Sequence, residues 1–373
     1  MQRTRLLALS TALAAGTLLL AACGTDSSQE AAPPTSPAPV ASSAPVALPQ
    51  GRLLVADFDS DTVTFVDPAG ADAGERGSVR VGTAPYGIAL GEDGTAWVST
   101  AEGVAVVDTE SRKRTALIGY RTEAGPATTG EYRGGGMGIA LSPDGSRLYV
   151  GVNVPGGDGF VEVVDTARRE VVGTVQVGMR PFDVDVSADG REVYATNHDS
   201  YDVTIIDTSD WSTRSVLVDP YDTGRSLGAW LKPHYAVVRP SDGKVLLPFE
   251  GERLLVVDPD SGRVTEEPMT ADTHQHGIAI GTDGTLFVVG TGGTSDSGNG
   301  PSLTIRTPAG RERVIPLDGP HEEVAISGDG RTAYVSGGFT RDGYWDGISI
   351  VDVRTGTVTR LPAGERPLGI VVL

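Results

Sequence analysis

The side chains here with the widest chemical repertoire are five histidines: His198, His234, His274, His276 and His321. Imidazole is the commonest neutral side-chain metal ligand, and it titrates close enough to neutrality to act as general acid or base. His274 and His276 stand two residues apart, so extended backbone points both to one side. His234 and His321 each follow a proline, Pro233 and Pro320, and Glu322 adds a carboxylate beside the last of them. Together His274, His276, His234, His321 and Glu322 suit a tetrahedral zinc site with Zn–N of about 2.0–2.1 Å. Copper(II) accepts the same donors. His198 and Asp199 are outer-rim candidates. The competing use of the same imidazoles is water activation without or with an ion, and the bland one is hydrogen bonding to neighbouring backbone.

These residues need a frame that gathers them, and an internal repeat supplies it. An apolar pair followed by an Asp-Gly turn recurs as Ile88-Ala89 before Asp93-Gly94 and Ile139-Ala140 before Asp144-Gly145. It returns with an aspartate in the second place as Val184-Asp185 before Asp189-Gly190, and as Val237-Val238 before Asp242-Gly243, Ile278-Ala279 before Asp283-Gly284, and Val324-Ala325 before Asp329-Gly330. Asp-Gly between apolar runs is a hairpin signal, because glycine accepts positive φ. A third strand closes on an apolar residue plus Asp, as in Val66-Asp67, Val107-Asp108 and Val164-Asp165, and a fourth run follows. Four short antiparallel strands per repeat of about 45 residues describe propeller blades. Six full repeats begin near residues 86, 137, 182, 235, 276 and 322. The segment from Arg52 supplies three further strands, expected near 52–57, 62–67 and 78–82, and Leu368 to Leu373 supplies one. The expectation is an all-β, seven-bladed β-propeller over residues 51–373, closed by the C-terminal strand joining the N-terminal blade. Aligned on the apolar pair, His276 occupies the position held elsewhere by Tyr86, Met137, Phe182, Tyr235, Glu322 and Leu368. All five histidines fall in loops or strand starts on one face, and four of them near the channel mouth.

The ends and composition narrow the setting. Arg3 and Arg5 precede an apolar run from Leu6 to Leu20, which predicts a signal peptide over residues 1–22. Leu20-Ala21-Ala22-Cys23 resembles a bacterial lipobox, which implies lipidation of Cys23. Residues 23–50 carry Pro33, Pro34, Pro37, Pro39, Pro45 and Pro49 among Ser and Ala, and read as a tether. The propeller is thus expected on the outer face of the bacterial cytoplasmic membrane, held there by lipid on Cys23. Cys23 is the only cysteine, so no disulfide, thiolate ligand or cysteine nucleophile remains. The formal charge is -19, which repels nucleic acid and enriches cations at the surface. A monomer without a nucleic-acid partner is expected. Rim loops also carry Glu250 and Asp346, and the aromatics Tyr120, Tyr132, Tyr221, Trp230, Tyr344 and Trp345.

The repeat, with Tyr149-Val150 near Asn153 and Ala195-Thr196-Asn197 before Val203 to Asp207, resembles the YVTN-type propellers of bacterial surface and periplasmic proteins. That likeness bears on fold more than function. Thr273-His274-Gln275-His276-Gly277 on an extracytoplasmic acidic propeller is similar to the zinc metallochaperones accompanying zinc ABC importers. This resemblance implies an extracytoplasmic zinc-binding lipoprotein that hands its ion to a solute-binding protein. The alternatives are a lactonase-like or other hydrolase using the same rim site, and a non-catalytic interaction scaffold.

Overall fold

The computed structural model describes residues 52–70, 72–130, 132–218, 232–249, 253–271, 275–290, 300–338 and 343–373. The predicted signal peptide, Cys23, the tether, and His274, Glu250, Tyr221 and Trp230 lie outside them. The described strands form seven four-stranded sheets, each ordered from the axis outward along the chain, with one exception. In that sheet Pro367–Val372 lies beside Leu53–Asp57, followed by Thr62–Asp67 and Gly74–Arg80. The chain is therefore an all-β, seven-bladed propeller closed by its C-terminal strand. Leu53 pairs with Val372 and Val55 with Ile370, so the closing blade keeps its central strands hydrogen-bonded and leaves no open edge between its two ends.

The local chemistry explains the hairpins. Gly94, Gly145, Gly190, Gly243, Gly284 and Gly330 all adopt positive φ, between 68° and 81°. The preceding aspartate closes the turn: Asp144 Oδ1 accepts hydrogen bonds from the Ser142 hydroxyl at 2.6 Å and the Ser146 amide at 3.0 Å. These bonds hold that carboxyl at about 2. The outermost strand of the closing blade runs over Gly74–Arg80 rather than 78–82. A register shift between Thr64 and Val66 lets Glu75 pair with Val66, starting the strand earlier than its apolar residues suggest.

Blades pack through their alternating apolar faces. Tyr194, Val203 and Ile205 of one blade meet Ala236, Val245, Leu247 and Phe249 of the next. Each such buried side chain contributes roughly 1.5–3 kcal/mol. Near the axis the innermost strands approach more closely, and glycine is required. Gly277 N–H donates to Glu322 O at 2.8 Å, and Gly369 N–H to Tyr86 O at 3.1 Å. A Cβ at Gly277 would lie 2.6 Å from Glu322 O, and one at Gly138 would lie 2.4 Å from Asp183 Cα. Between two other blades a side chain replaces the carbonyl: Asp183 Oδ2 accepts the Ala236 N–H at 2.9 Å.

Candidate functional site

The aligned position at the start of each innermost strand closes the channel mouth. Tyr86, Met137, Phe182, Tyr235, His276, Glu322 and Leu368 are all buried. Tyr86 and Phe182 belong to blades separated by a third, yet their rings meet edge-on at 5.6 Å. Phe182 also meets Tyr235 edge-on at 5.2 Å. The Tyr235 hydroxyl donates to Glu322 Oε1 at 3.1 Å. Five positions of the ring are thus apolar or aromatic, and the two polar ones, His276 and Glu322, are neighbours. Burial pushes the Tyr86 and Tyr235 hydroxyls well above their ordinary range, with the charge of Glu322 adding to it in both. They remain protonated donors.

Glu322 is fully buried, and its Oε2 lies 3.0 Å from His276 Nδ1. The contact places the carboxylate at ion-pair distance from the ring. The His234 ring stacks on His276, centroids 4.6 Å apart and 24° from parallel. His234 Nε2 lies 3.2 Å from His198 Nε2, and His198 Nδ1 lies 2.8 Å from Asp199 Oδ1. Asp199 is ionised, so His198 donates through Nδ1 and accepts through Nε2, which makes His234 the donor between the two rings. Burial pushes His198 down to about 4, against the opposing pull of Asp199. Burial works to raise Asp199 as well, but His198, Lys232 and Arg180 hold it well below the carboxylate range. Lys232 Nζ reaches Asp199 Oδ1 at 2.7 Å, and Arg180 Nη2 reaches Oδ2 at 2.7 Å.

The structure therefore brings together His198, Asp199, His234, His276 and Glu322, and turns His321 aside. His198 is not an outer-rim residue: it is buried and joined to the cluster through His234. His321 donates through Nδ1 to Gly319 O at 2.7 Å and accepts the Ser349 hydroxyl through Nε2 at 2.7 Å. Trp345 Nε1–H also approaches that nitrogen at 3.4 Å. Both ring nitrogens are thus spent on its own blade, and burial pushes this histidine down to about 4. His321 thus stands apart from the other expected metal ligands. Among the described residues no group of three or more His, Cys, Asp or Glu side chains converges as a metal-binding set. The described imidazoles lie against each other, against carboxylates and in a blade interior. His274 falls outside the described residues.

Several contributors were not singled out in the sequence. Tyr235 stands in the aligned position, and its hydroxyl was the unused clue. Arg180 precedes Pro181 just as Arg366 precedes Pro367, and both take positive φ, as Ala84 does before Pro85. That conformation belongs to the turn leading into the blade and is not particular to the site. Deeper in the channel, Glu323, Asp183 and Asp185 form a second acidic layer. Burial raises all three; Asp183 further raises the other two, and Asp183 itself is pushed up to about 6. Of the expected rim residues, Asp346 Oδ1 caps the Arg366 amide at 2.9 Å, Tyr120 bonds Thr100 O at 3.0 Å, and Trp345 stacks under Arg360 at 3.8 Å. Tyr132 and Tyr344 stay half-exposed.

Fold and site together define a seven-bladed β-propeller with a buried imidazole–carboxylate cluster at a plugged channel mouth. No protein-family profile matches the chain, and no curated protein matches it in sequence. Solved structures do resemble it. A periplasmic gluconolactonase of Pseudomonas aeruginosa is 18% identical with a TM-score of 0.62, over 87% of this chain and 99% of that one. Hydrazine synthase of Kuenenia stuttgartiensis is 20% identical with a TM-score of 0.60, over 77% and 89%. A catalytically inactive histidine-to-alanine variant of virginiamycin B lyase from Staphylococcus aureus, with quinupristin, is 14% identical with a TM-score of 0.57, over 84% and 92%. At such identities the likeness bears on fold alone.

Proposed function

We propose that this propeller is an extracytoplasmic hydrolase that opens a small cyclic ester, a lactone, at the channel mouth. The observation that carries the reading is His276 backed by the fully buried Glu322 beside the hydrogen-bonded pair His198–His234. A carboxylate behind an imidazole orients it and stabilises the imidazolium formed when it takes a proton. His276 removes a proton from water as the water oxygen bonds to the lactone carbonyl carbon. Collapse of the tetrahedral intermediate breaks the ring C–O bond, and the His276 imidazolium gives the proton it took from water to the departing alkoxide. The product is a hydroxy acid. The aromatic floor of Tyr86, Phe182 and Tyr235 excludes water from below.

Two fold relatives support this choice over metal carriage: one is a gluconolactonase, and the other a lyase inactivated by replacing one histidine. The same reading has the domain carried on the outer face of the cytoplasmic membrane by lipid on Cys23. The test is hydrolysis of D-glucono-1,5-lactone by the purified protein, followed by acid release above the spontaneous rate, with and without added zinc. His276→Ala and Glu322→Gln are expected to lower kcat by roughly 10²–10⁴-fold. Rates at background, or wild-type rates in His276→Ala, refute it. Turnover only with added zinc would return the site to metal chemistry.

A further inference from the structure

Beside the histidines lies a group of charges that the proposed acid–base chemistry does not use. Asp199 is one carboxylate meeting two cations, Arg180 at 2.7 Å and Lys232 at 2.7 Å, as well as His198 at 2.8 Å. With His198 neutral, the cluster carries one uncompensated positive charge on a chain whose formal charge is -19. Arg180 is the unusual member. Its side chain is only 9% exposed, and its Nε is buried without a hydrogen-bond partner among the described residues. A buried guanidinium with unused donors is costly unless something satisfies it.

An aromatic ring sits over this cation. Tyr132 lies with its ring centroid 3.9 Å from Arg180 Cζ and is 49% exposed, so Arg180 covers one side of the ring and solvent meets the rest. The next residue holds Tyr132 in place. Buried Arg133 donates through Nη2 to Ala84 O at 2.7 Å and Gly136 O at 2.8 Å, and through Nη1 to Gly134 O at 3.1 Å. Asn153 Nδ2 in turn donates to Arg133 O at 2.8 Å. A half-exposed tyrosine on an anchored stem is preorganised as a contact surface.

We propose that Arg180 and Lys232 bind the carboxylate of a sugar-acid ligand whose ring rests on Tyr132, which makes the substrate of the neighbouring histidines an acidic sugar lactone. The carboxylate offsets the excess positive charge through charge-assisted bonds of the kind arginine makes in a fork. Apolar C–H faces of the sugar ring cover the aromatic surface. The proposal rests on the lactone reading for the word substrate, and on the charges and the ring for the ligand class.

Binding of two stable probes that differ only in the charged group separates these ideas. D-glucuronate and D-glucose share a pyranose ring, neither is a lactone, and calorimetry on the intact protein reads binding without turnover. Glucuronate is expected to bind about tenfold or more tightly than glucose. Lys232→Gln and Arg180→Gln each reduce that preference and leave glucose binding as it was. Tyr132→Ala weakens both sugars, and Tyr132→Phe restores them. Lys232 is partly exposed, so its variant keeps the test decisive should Arg180→Gln fail to fold. Equal affinities, a preference that survives Lys232→Gln, or acetate binding as tightly as glucuronate overturn the proposal. Selective glucuronate binding without any lactone turnover would sink the hydrolase reading and leave the subsite standing. Lactone turnover without the preference does the reverse.

Discussion

Replacing Asp57 by Asn should remove most of one acid-linked component of this protein's stability. Asp57 ends the strand Leu53–Asp57 of the closing blade and is 1% exposed. Its Oδ2 accepts the hydroxyls of Thr62 at 2.8 Å and Thr64 at 2.6 Å, while Oδ1 has no partner among the described residues. Burial raises this carboxyl from 3.8 to about 7; the two threonines pull it down, and Glu75 and Glu365 add to the rise. A group whose folded pKa exceeds its unfolded one contributes stability that is complete below the unfolded value and is lost as pH rises through the folded value. For Asp57 the window runs from pH 3.8 to about 7. At 1.36 kcal/mol per unit, about 4 kcal/mol should disappear across it. Asparagine is neutral throughout, so the stability of Asp57→Asn relative to wild type should climb by about 4 kcal/mol between pH 4 and pH 8. Any cost of burying the amide is a constant offset and leaves the slope untouched. Urea unfolding midpoints at pH steps across that range measure it. A difference between the two proteins that stays flat with pH would refute the assignment of a protonated Asp57 in the folded state.

Gly277→Ala places a Cβ 2.6 Å from the Glu322 carbonyl, and should cost roughly 1–3 kcal/mol in unfolding free energy by forcing neighbouring inner strands apart. His321→Gln should cost about 1–3 kcal/mol at pH 8 through its lost bonds to Gly319 and Ser349. That deficit should shrink as pH falls from 6.5 toward 4, because folded His321 stays neutral while the unfolded chain takes up a proton; a deficit independent of pH counts against it. The same variant should leave lactone turnover intact. Cys23→Ser should move the protein from the membrane fraction to the soluble one, and unchanged membrane association would argue against lipidation at that cysteine.

Much of the architecture was legible because a propeller repeats one local pattern. Asp-Gly turns, apolar pairs and strand-closing aspartates recur at fixed offsets, and each reports a backbone requirement that neighbouring residues alone decide. The blade-closing role of Pro367–Val372 followed from counting strands, since an incomplete first blade needs a partner. The alignment also placed His276 and Glu322 at equivalent positions of successive blades, close enough for the contact observed. It failed where local phase is a poor guide. His234 stands one position out of phase with His276, where strict strand alternation would turn it aside, yet it lies between His276 and His198.

His198 and His321 show the division most clearly. By residue type and predicted face they were equal, and His321 had the better position along the strand. Only the packed structure decides that His321 spends both nitrogens on Gly319 and Ser349, whereas His198 reaches across a blade boundary to His234. The sequence by itself determined the seven blades, the face that bears the histidines and the acidic character of the chain, because periodicity and composition are properties of the chain alone. Tertiary structure decided which imidazoles meet and that Arg180 and Lys232 share Asp199. It also decided that aromatic rings fill the channel mouth. Those outcomes depend on distances between blades, and at a spacing of a few ångströms the choice between a ligand, a relay and a structural hydrogen bond is made by which neighbour arrives first at the nitrogen.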